Sequence, residues 1–222
     1  MVAVMHSHPQ HRDVQNTRPG RPRSAAADRA ILAATRTALV ELGWSKLTMS
    51  DVATRAGVAK TTLYRRWAGK SELVVDAVAV LFDELELPDL GSLPADLEAM
   101  VLRLAALLDR PETRTSMMAV VAEATRDEAL RRRIRSAIVD RQKVLVLEGR
   151  ARAQERGELP YEKDPETAAH DADLIFDVIA GAVVHRTLVS AEPVDPAWAH
   201  RFTRLLIGGL ASLTQRDPHQ AP

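Results

Sequence analysis
The chain has 222 residues, 46% of them hydrophobic, and no cysteine. That length allows one full core or a small and a medium domain, and the lack of cysteine excludes a disulfide framework, a thiol nucleophile and a Cys-based zinc site. The formal charge is zero, yet residues 1–70 hold 12 Lys and Arg against 4 Asp and Glu, which leaves 18 against 26 for the remainder. A basic end on an acidic body suits a nucleic-acid-binding domain joined to a non-binding one, although a membrane surface would also accept it.

In chain order, residues 1–23 carry three His and three Pro with little apolar periodicity and are predicted to be a disordered basic arm. Its end, Arg18-Pro19-Gly20-Arg21-Pro22-Arg23, offers Arg21 and Arg23 to the narrow minor groove of A·T-rich DNA; a solvated basic linker is the other reading. Ser24 is a candidate cap for a helix with Ile31, Ala34, Ala38 and Leu42 on one stripe, stopping at Gly43.

The stretch Leu47–Lys70, LTMSDVATRAGVAKTTLYRRWAGK, reads as two short helices and a tight turn. Thr48 stands three residues before Asp51 in a capping-box pattern, Gly57 supplies a left-handed stop, and Leu63 and Trp67 recur at a four-residue spacing. With Leu63 and Trp67 turned inward, Thr61 and Arg65 point away from the core, flanked by Lys60 and Tyr64 on one side and by Thr62 and Arg66 on the other. Hydroxyls, cations and a phenol without an acid suit DNA: Thr and Arg can read base edges in the major groove, while Lys and Tyr can bond phosphates. Lys70 precedes Ser71 and Glu72 at the start of a further helix, a candidate anion site.

From Thr48 to Leu73 this segment resembles the DNA-binding domain of the tetracycline-repressor (TetR) family of bacterial transcription regulators. The resemblance spans about 26 residues, with Ala59 standing where the family most often has a capping Ser. It implies DNA contacts from Thr48, Thr61, Thr62, Tyr64 and Lys70, mostly to the backbone.

The next helix, Ser71 to about Leu87, has an apolar face made by Leu73, Val74, Ala77, Val78, Leu81 and Phe82, and is expected to serve both domains. After the loop PDLGSLP the remainder reads as helix, without strand alternation or repeats. Helices are predicted over Ala95–Leu108, from Pro111 to about Thr125, and from Asp127 to Arg156 with Gly157 as its stop. The arginines at 131–133 and 135 are expected to form a solvated face paired with the acidic excess. Two last helices start at Asp164-Pro165 and Asp195-Pro196, each with a capping acid before an N1 proline. The first is apolar over most of its circumference and therefore needs cover on two sides, one of them from a partner chain. The second carries Phe202, Leu205, Leu206, Leu210 and Leu213, and glycines at 181, 208 and 209 would let backbones approach closely.

The resemblance implies that these two helices pair with their twins in a homodimer, which binds a palindrome of double-stranded DNA. It also implies a small-molecule effector pocket, for which Leu104, Met117, Met118, Val121, Leu147, Phe176 and Ile179 are candidate lining and Asp177 a candidate acid toward a cationic ligand. His170, Asp173 and Asp177 share one arc, but three helical ligands without an outside partner make an incomplete metal site, so no metal or other cofactor is expected. No Gly-rich phosphate loop, nucleophile elbow or His-Glu-x-x-His pattern occurs, so an enzyme is not expected.

The chain is thus expected to be all-α: a disordered basic arm over 1–23, a helix-turn-helix domain over 24–70, a connecting helix over 71–87, a helical ligand-binding and dimerisation domain over 88–216, and a tail over 217–222. The expected function is ligand-responsive repression of transcription by a cytoplasmic protein without membrane association, as no apolar run reaches about 18 residues. An architectural DNA-binding protein without an effector, and an all-helical enzyme, are the alternatives.

Overall fold
Thr48 and Asp51 exchange the two bonds of a capping box. The Asp51 amide donates to the Thr48 hydroxyl at 3.2 Å, and the Thr48 amide donates to the Asp51 carboxylate at 3.0 Å. This box opens the second of ten α-helical segments described by the computed structural model, which covers residues 25–161 and 164–214, with residues 210–214 by backbone alone. The basic arm with Arg21 and Arg23, the Ser24 cap, the side chains of Leu210 and Leu213, and the tail lie outside the described residues.

The helices are α1 (Ala25–Lys46), α2 (Met49–Arg55), α3 (Lys60–Tyr64), α4 (Lys70–Phe82), α5 (Leu93–Asp109), α6 (Pro111–Ala124), α7 (Glu128–Ile134), α8 (Asp140–Glu155), α9 (Pro165–Val184) and α10 (Pro196–Thr214). No strand occurs among the described residues. π-Helical turns, Arg135–Val139 and His185–Val189, join α7 to α8 and extend α9. The long helix expected over 127–156 is therefore present but interrupted. Its start is fixed by Asp127, which accepts from the Leu130 amide at 3.0 Å. Asp164 and Asp195 likewise cap α9 and α10, accepting from Thr167 at 3.1 Å and Trp198 at 2.7 Å. Gly57, at φ +64°, makes the turn between α2 and α3.

One expectation is corrected. The connecting helix ends at Phe82, not Leu87. Pro88 disfavours helical backbone at Leu87, and arginines from later helices hold the carbonyls of this segment in a non-helical path. Arg103 donates to the Glu86 carbonyl at 2.8 Å and Arg152 to that of Leu87 at 3.2 Å.

Helix α4 is wrapped by its neighbours: Leu73, Val74, Val75, Ala77, Val78, Ala79, Leu81 and Phe82 are all buried. They share one continuous core with Ile31, Leu39, Leu63 and Trp67 and with Val120, Leu130 and Ile138. Trp44 and Val58 are half-buried against it. Arg36 of α1 adds polar ties, donating to the Ala77 carbonyl at 3.1 Å and pairing with Glu112 of α6 at 3.7 Å. The reading head thus shares its interior with the larger helical body.

Thr48→Ala removes the α2 cap and is expected to cost about 1 kcal/mol of stability, measured by chemical denaturation. The Thr48 hydroxyl holds the Asp51 carboxyl below its ordinary value, so that part of the stability is complete above pH 3.8 and fades as the pH falls through the lower folded value. The gap between wild type and variant is therefore expected to narrow in acid.

Candidate nucleic-acid interface and adjoining cavity
The recognition segment is short. Only Lys60–Tyr64 is α-helical, starting at Ala59 without any side-chain cap, but helical bonding carries on through Arg66 and Trp67, both donating to the Leu63 carbonyl at 2.8 and 2.9 Å. Leu63 and Trp67 are buried and hold the segment against α1 and α4. Residues 60 and 64, and 61 and 65, stand one turn apart, so Lys60, Thr61, Tyr64 and Arg65 form one exposed ridge, with Tyr64 57% exposed. Thr62 is half-buried, while Thr48 is exposed at the entrance to α2. Lys60 and Arg65 have no ion-pair partner among the described residues, whereas Arg55 pairs with Glu41 at 2.6 Å and Arg66 pairs with Asp28. The ridge carries cations without a close ion pair, while the neighbouring Arg55 and Arg66 are paired.

Lys70 stands at the start of α4, as expected, and is tied to α1. Its ammonium donates to the Trp44 carbonyl at 2.9 Å and lies over the Trp44 ring at 4.8 Å, which ties the start of α4 to the end of α1. Nothing in the local sequence marks this bond, because its partner is 26 residues away.

A cavity of about 280 Å³ lies among α4 to α9. It is close to the lower end of the roughly 300–1,000 Å³ range of small-molecule pockets. Of the expected lining residues, Leu104, Met117, Val121, Phe176 and Ile179 border it, and Val121, 49% exposed, marks a mouth. Met118, Leu147 and Asp177 do not border it and are corrected. Met118 is 47% and Leu147 45% exposed, and Asp177 is also exposed. Each helical residue points about 100° from its neighbour, so Met117 and Phe176 facing the cavity turn Met118 and Asp177 away. Asp173 pairs with Lys143, which holds its carboxyl below the ordinary value.

Sequence reasoning missed Met100, Ile138, Leu145, Gly149, Arg150 and Ile175. Gly149 lies close under Leu87, where an added Cβ would come within 2.9 Å of a terminal methyl of the Leu87 side chain and shift it. Arg150 is 7% exposed; burial lowers its proton affinity, and the Asp171 carboxylate 3.6 Å away opposes that effect. Asp96 also borders the cavity but is engaged by the Leu90 amide at 2.6 Å and by Arg156 at 2.9 Å. The remaining walls are mainly Leu, Ile, Val, Met and Phe.

The cavity and the ridge are joined by a polar chain. Asp76 of α4 accepts from the Trp67 indole at 2.9 Å and from Arg133 at 2.5 Å. Arg133 directly precedes Ile134, which borders the cavity together with Ile138 and Val139 of the π-helical turn. The rest of the arginine run is paired locally: Arg131 and Arg132 with Glu128, and Arg135 with Asp140.

A model of bacterial regulatory proteins of the tetR family matches residues 31–77, and one of the tetracyclin repressor-like C-terminal domain matches residues 87–206. The DNA-binding transcriptional repressor TetR of Mycobacteroides abscessus is 33% identical over 82% of this chain and 90% of its own. An uncharacterized helix-turn-helix transcriptional regulator of Mycobacterium bovis is 31% identical over 73% of this chain and 77% of its own. Among solved structures, a TetR family transcription regulator superposes with a TM-score of 0.65 at 29% identity, covering 82% of this chain and 97% of the other.

On duplex DNA, Lys60→Ala is expected to reduce the slope of log affinity against log salt by about 0.9, the signature of one lost phosphate contact. Arg65→Ala is expected to cost about 1–3 kcal/mol on the preferred sequence and to relax one base position. Fluorescence anisotropy over a salt series checks the first, and binding selection from randomised DNA the second.

Proposed function
The chain belongs to the TetR family of DNA-binding transcription regulators, and from that premise we propose that it binds a palindromic operator as a homodimer, represses transcription there, and is released by a small apolar effector. The observation that carries this reading is the cavity beside the Asp76 chain, which gives a ligand a route to the reading head. The DNA contacts are assigned to Thr48, Lys60, Thr61, Tyr64 and Arg65, with Thr62 beside them. Repression is supported by the similarity to the Mycobacteroides abscessus relative, a DNA-binding transcriptional repressor. An architectural protein has no use for such a cavity.

In mechanism, two reading heads meet successive major-groove faces about 34–36 Å apart. An effector in the cavity pushes on Ile134 and Ile138, and the displacement of Arg133 pulls Asp76 and with it Trp67 away from the operator-matched position. The ligand must favour the mismatched spacing; a coupling of about 1–3 kcal/mol weakens operator binding 5- to 150-fold. The mainly aliphatic walls select a ligand with a large apolar body, and the methionines adapt to its shape. The dimer forms through α9 and α10, whose outer faces keep Leu174, Val178 and Leu205 exposed in one chain.

Fragmented genomic DNA bound at about 150 mM salt, where non-specific affinity is weak, is expected to yield one enriched palindrome that a Tyr64→Ala variant does not retain. Uniform recovery would overturn specific repression. Ile138→Trp fills the cavity at a stability cost of about 1–3 kcal/mol and is expected to abolish saturable binding of the neutral probe N-phenyl-1-naphthylamine. Equal probe binding by both proteins would place the effector elsewhere.

A further inference from the structure
One polar side chain stands in the middle of an apolar stripe. Ile138, Gln142, Leu145, Val146 and Gly149 recur at three- and four-residue spacings along the π-helical turn and α8, and all of them border the cavity. Every other member of that face is apolar, so an amide stands where the pattern calls for an aliphatic side chain. The amide is held at one end only. Its Nε2 donates to the Phe82 carbonyl at the end of α4 at 3.1 Å, and this fixes which end of the amide is nitrogen, because a carbonyl accepts only from a donor. The Gln142 Oε1 makes no hydrogen bond among the described residues. The Phe82 carbonyl does not depend on Gln142, since the Leu85 amide also donates to it at 3.0 Å.

The other polar side chains on the cavity wall are Asp96 and Arg150, and both are engaged. Asp96 accepts from Leu90 and Arg156, and Arg150 faces Asp171 at 3.6 Å. A charged group on a ligand would therefore enter without a counter-ion of its own and lose its hydration uncompensated. A neutral hydrogen-bond donor, in contrast, finds a matching acceptor in Gln142, and in apolar surroundings such a bond is stronger than in water.

We infer that Gln142 selects an uncharged apolar effector carrying a hydroxyl or N–H group, which donates to Gln142 Oε1, and that carboxylates are refused. The inference rests on the cavity reading above and names the chemical class of its ligand. The aliphatic wall supplies affinity for any apolar body of the right size, and the amide discriminates among them. An apolar molecule without a donor leaves Oε1 dehydrated and unsatisfied, and that loss is what makes a single acceptor an effective filter.

The test sets 1-naphthol, 1-methylnaphthalene and 1-naphthoate, which are similar in size, in competition with bound N-phenyl-1-naphthylamine at about pH 7, where the naphthol is neutral and the naphthoate charged. Wild type is compared with Gln142→Met, in which an apolar chain of similar length replaces the amide; circular dichroism checks that both proteins are equally helical. The expected result is that 1-naphthol loses about 10-fold in affinity relative to 1-methylnaphthalene on going from wild type to the variant. On wild type, 1-naphthoate is expected to bind about 100-fold more weakly than 1-naphthol. An unchanged ratio between 1-naphthol and 1-methylnaphthalene, or failure of all three to displace the bound probe, overturns Gln142 as the selector while the cavity reading stands. Binding of 1-naphthoate as tight as that of 1-naphthol overturns it in favour of an anionic ligand beside Arg150. A wild-type protein that does not bind the probe overturns the cavity reading, and this inference with it.

Discussion

Asp76 makes the bond on which the rest of the arrangement depends. One carboxylate oxygen receives the indole N–H of Trp67 at the end of the reading segment, and the other receives Arg133 from the helical body. Charged hydrogen bonds of this kind are stronger than neutral ones, and in a half-buried setting the loss of either partner leaves a polar group poorly satisfied. Asp76 also sits on α4, whose apolar surface is almost entirely buried between the two parts of the chain. Apolar burial fixes the position of α4, and the carboxylate fixes its rotation relative to both neighbours. A displacement on either side must therefore be felt on the other, or the bonds must break.

The charge distribution serves the same division of labour. In the reading head, Arg55 and Arg66 are paired with Glu41 and Asp28, and Lys60 and Arg65 of the ridge have no close ion pair among the described residues. In the body, arginines are spent on structure: Arg103 and Arg152 hold the carbonyls after α4, and Arg156 binds Asp89, Asp96 and Glu158. A zero net charge thus conceals one surface kept basic for an anionic partner and another region where positive charge replaces missing backbone hydrogen bonds.

Much of this was legible in the sequence because the signals were local. The Thr48 and Asp51 box, the Gly57 turn and the Asp-Pro helix starts each depend on residues within one turn of each other, where stereochemistry alone decides. The end of α4 was misplaced because apolar periodicity continues to Leu87, while the arginines that hold the chain in another path come from α5 and α8. Cavity lining was half legible for a similar reason. Periodicity brought Met117 and Phe176 inward, but adjacent hydrophobic residues such as Met118 differ in direction only once the helix rotation is known. Lys70 and Asp76 have partners 26 and 57 residues away, and no window of sequence contains such bonds.

The most direct test of the Asp76 tie uses the absence of cysteine from the chain: a single cysteine placed at the exposed Thr54 of α2 carries a spin label, and pulsed electron resonance reads the distance between the two labels of the proposed dimer. A tie that sets the reading heads on the body predicts a narrow distance distribution in the otherwise unchanged protein and a broad or displaced one when Asp76→Ala is added, with both proteins equally helical. Identical distributions in the two proteins would contradict it and leave apolar packing of α4 as the sole connection between the body and the reading head.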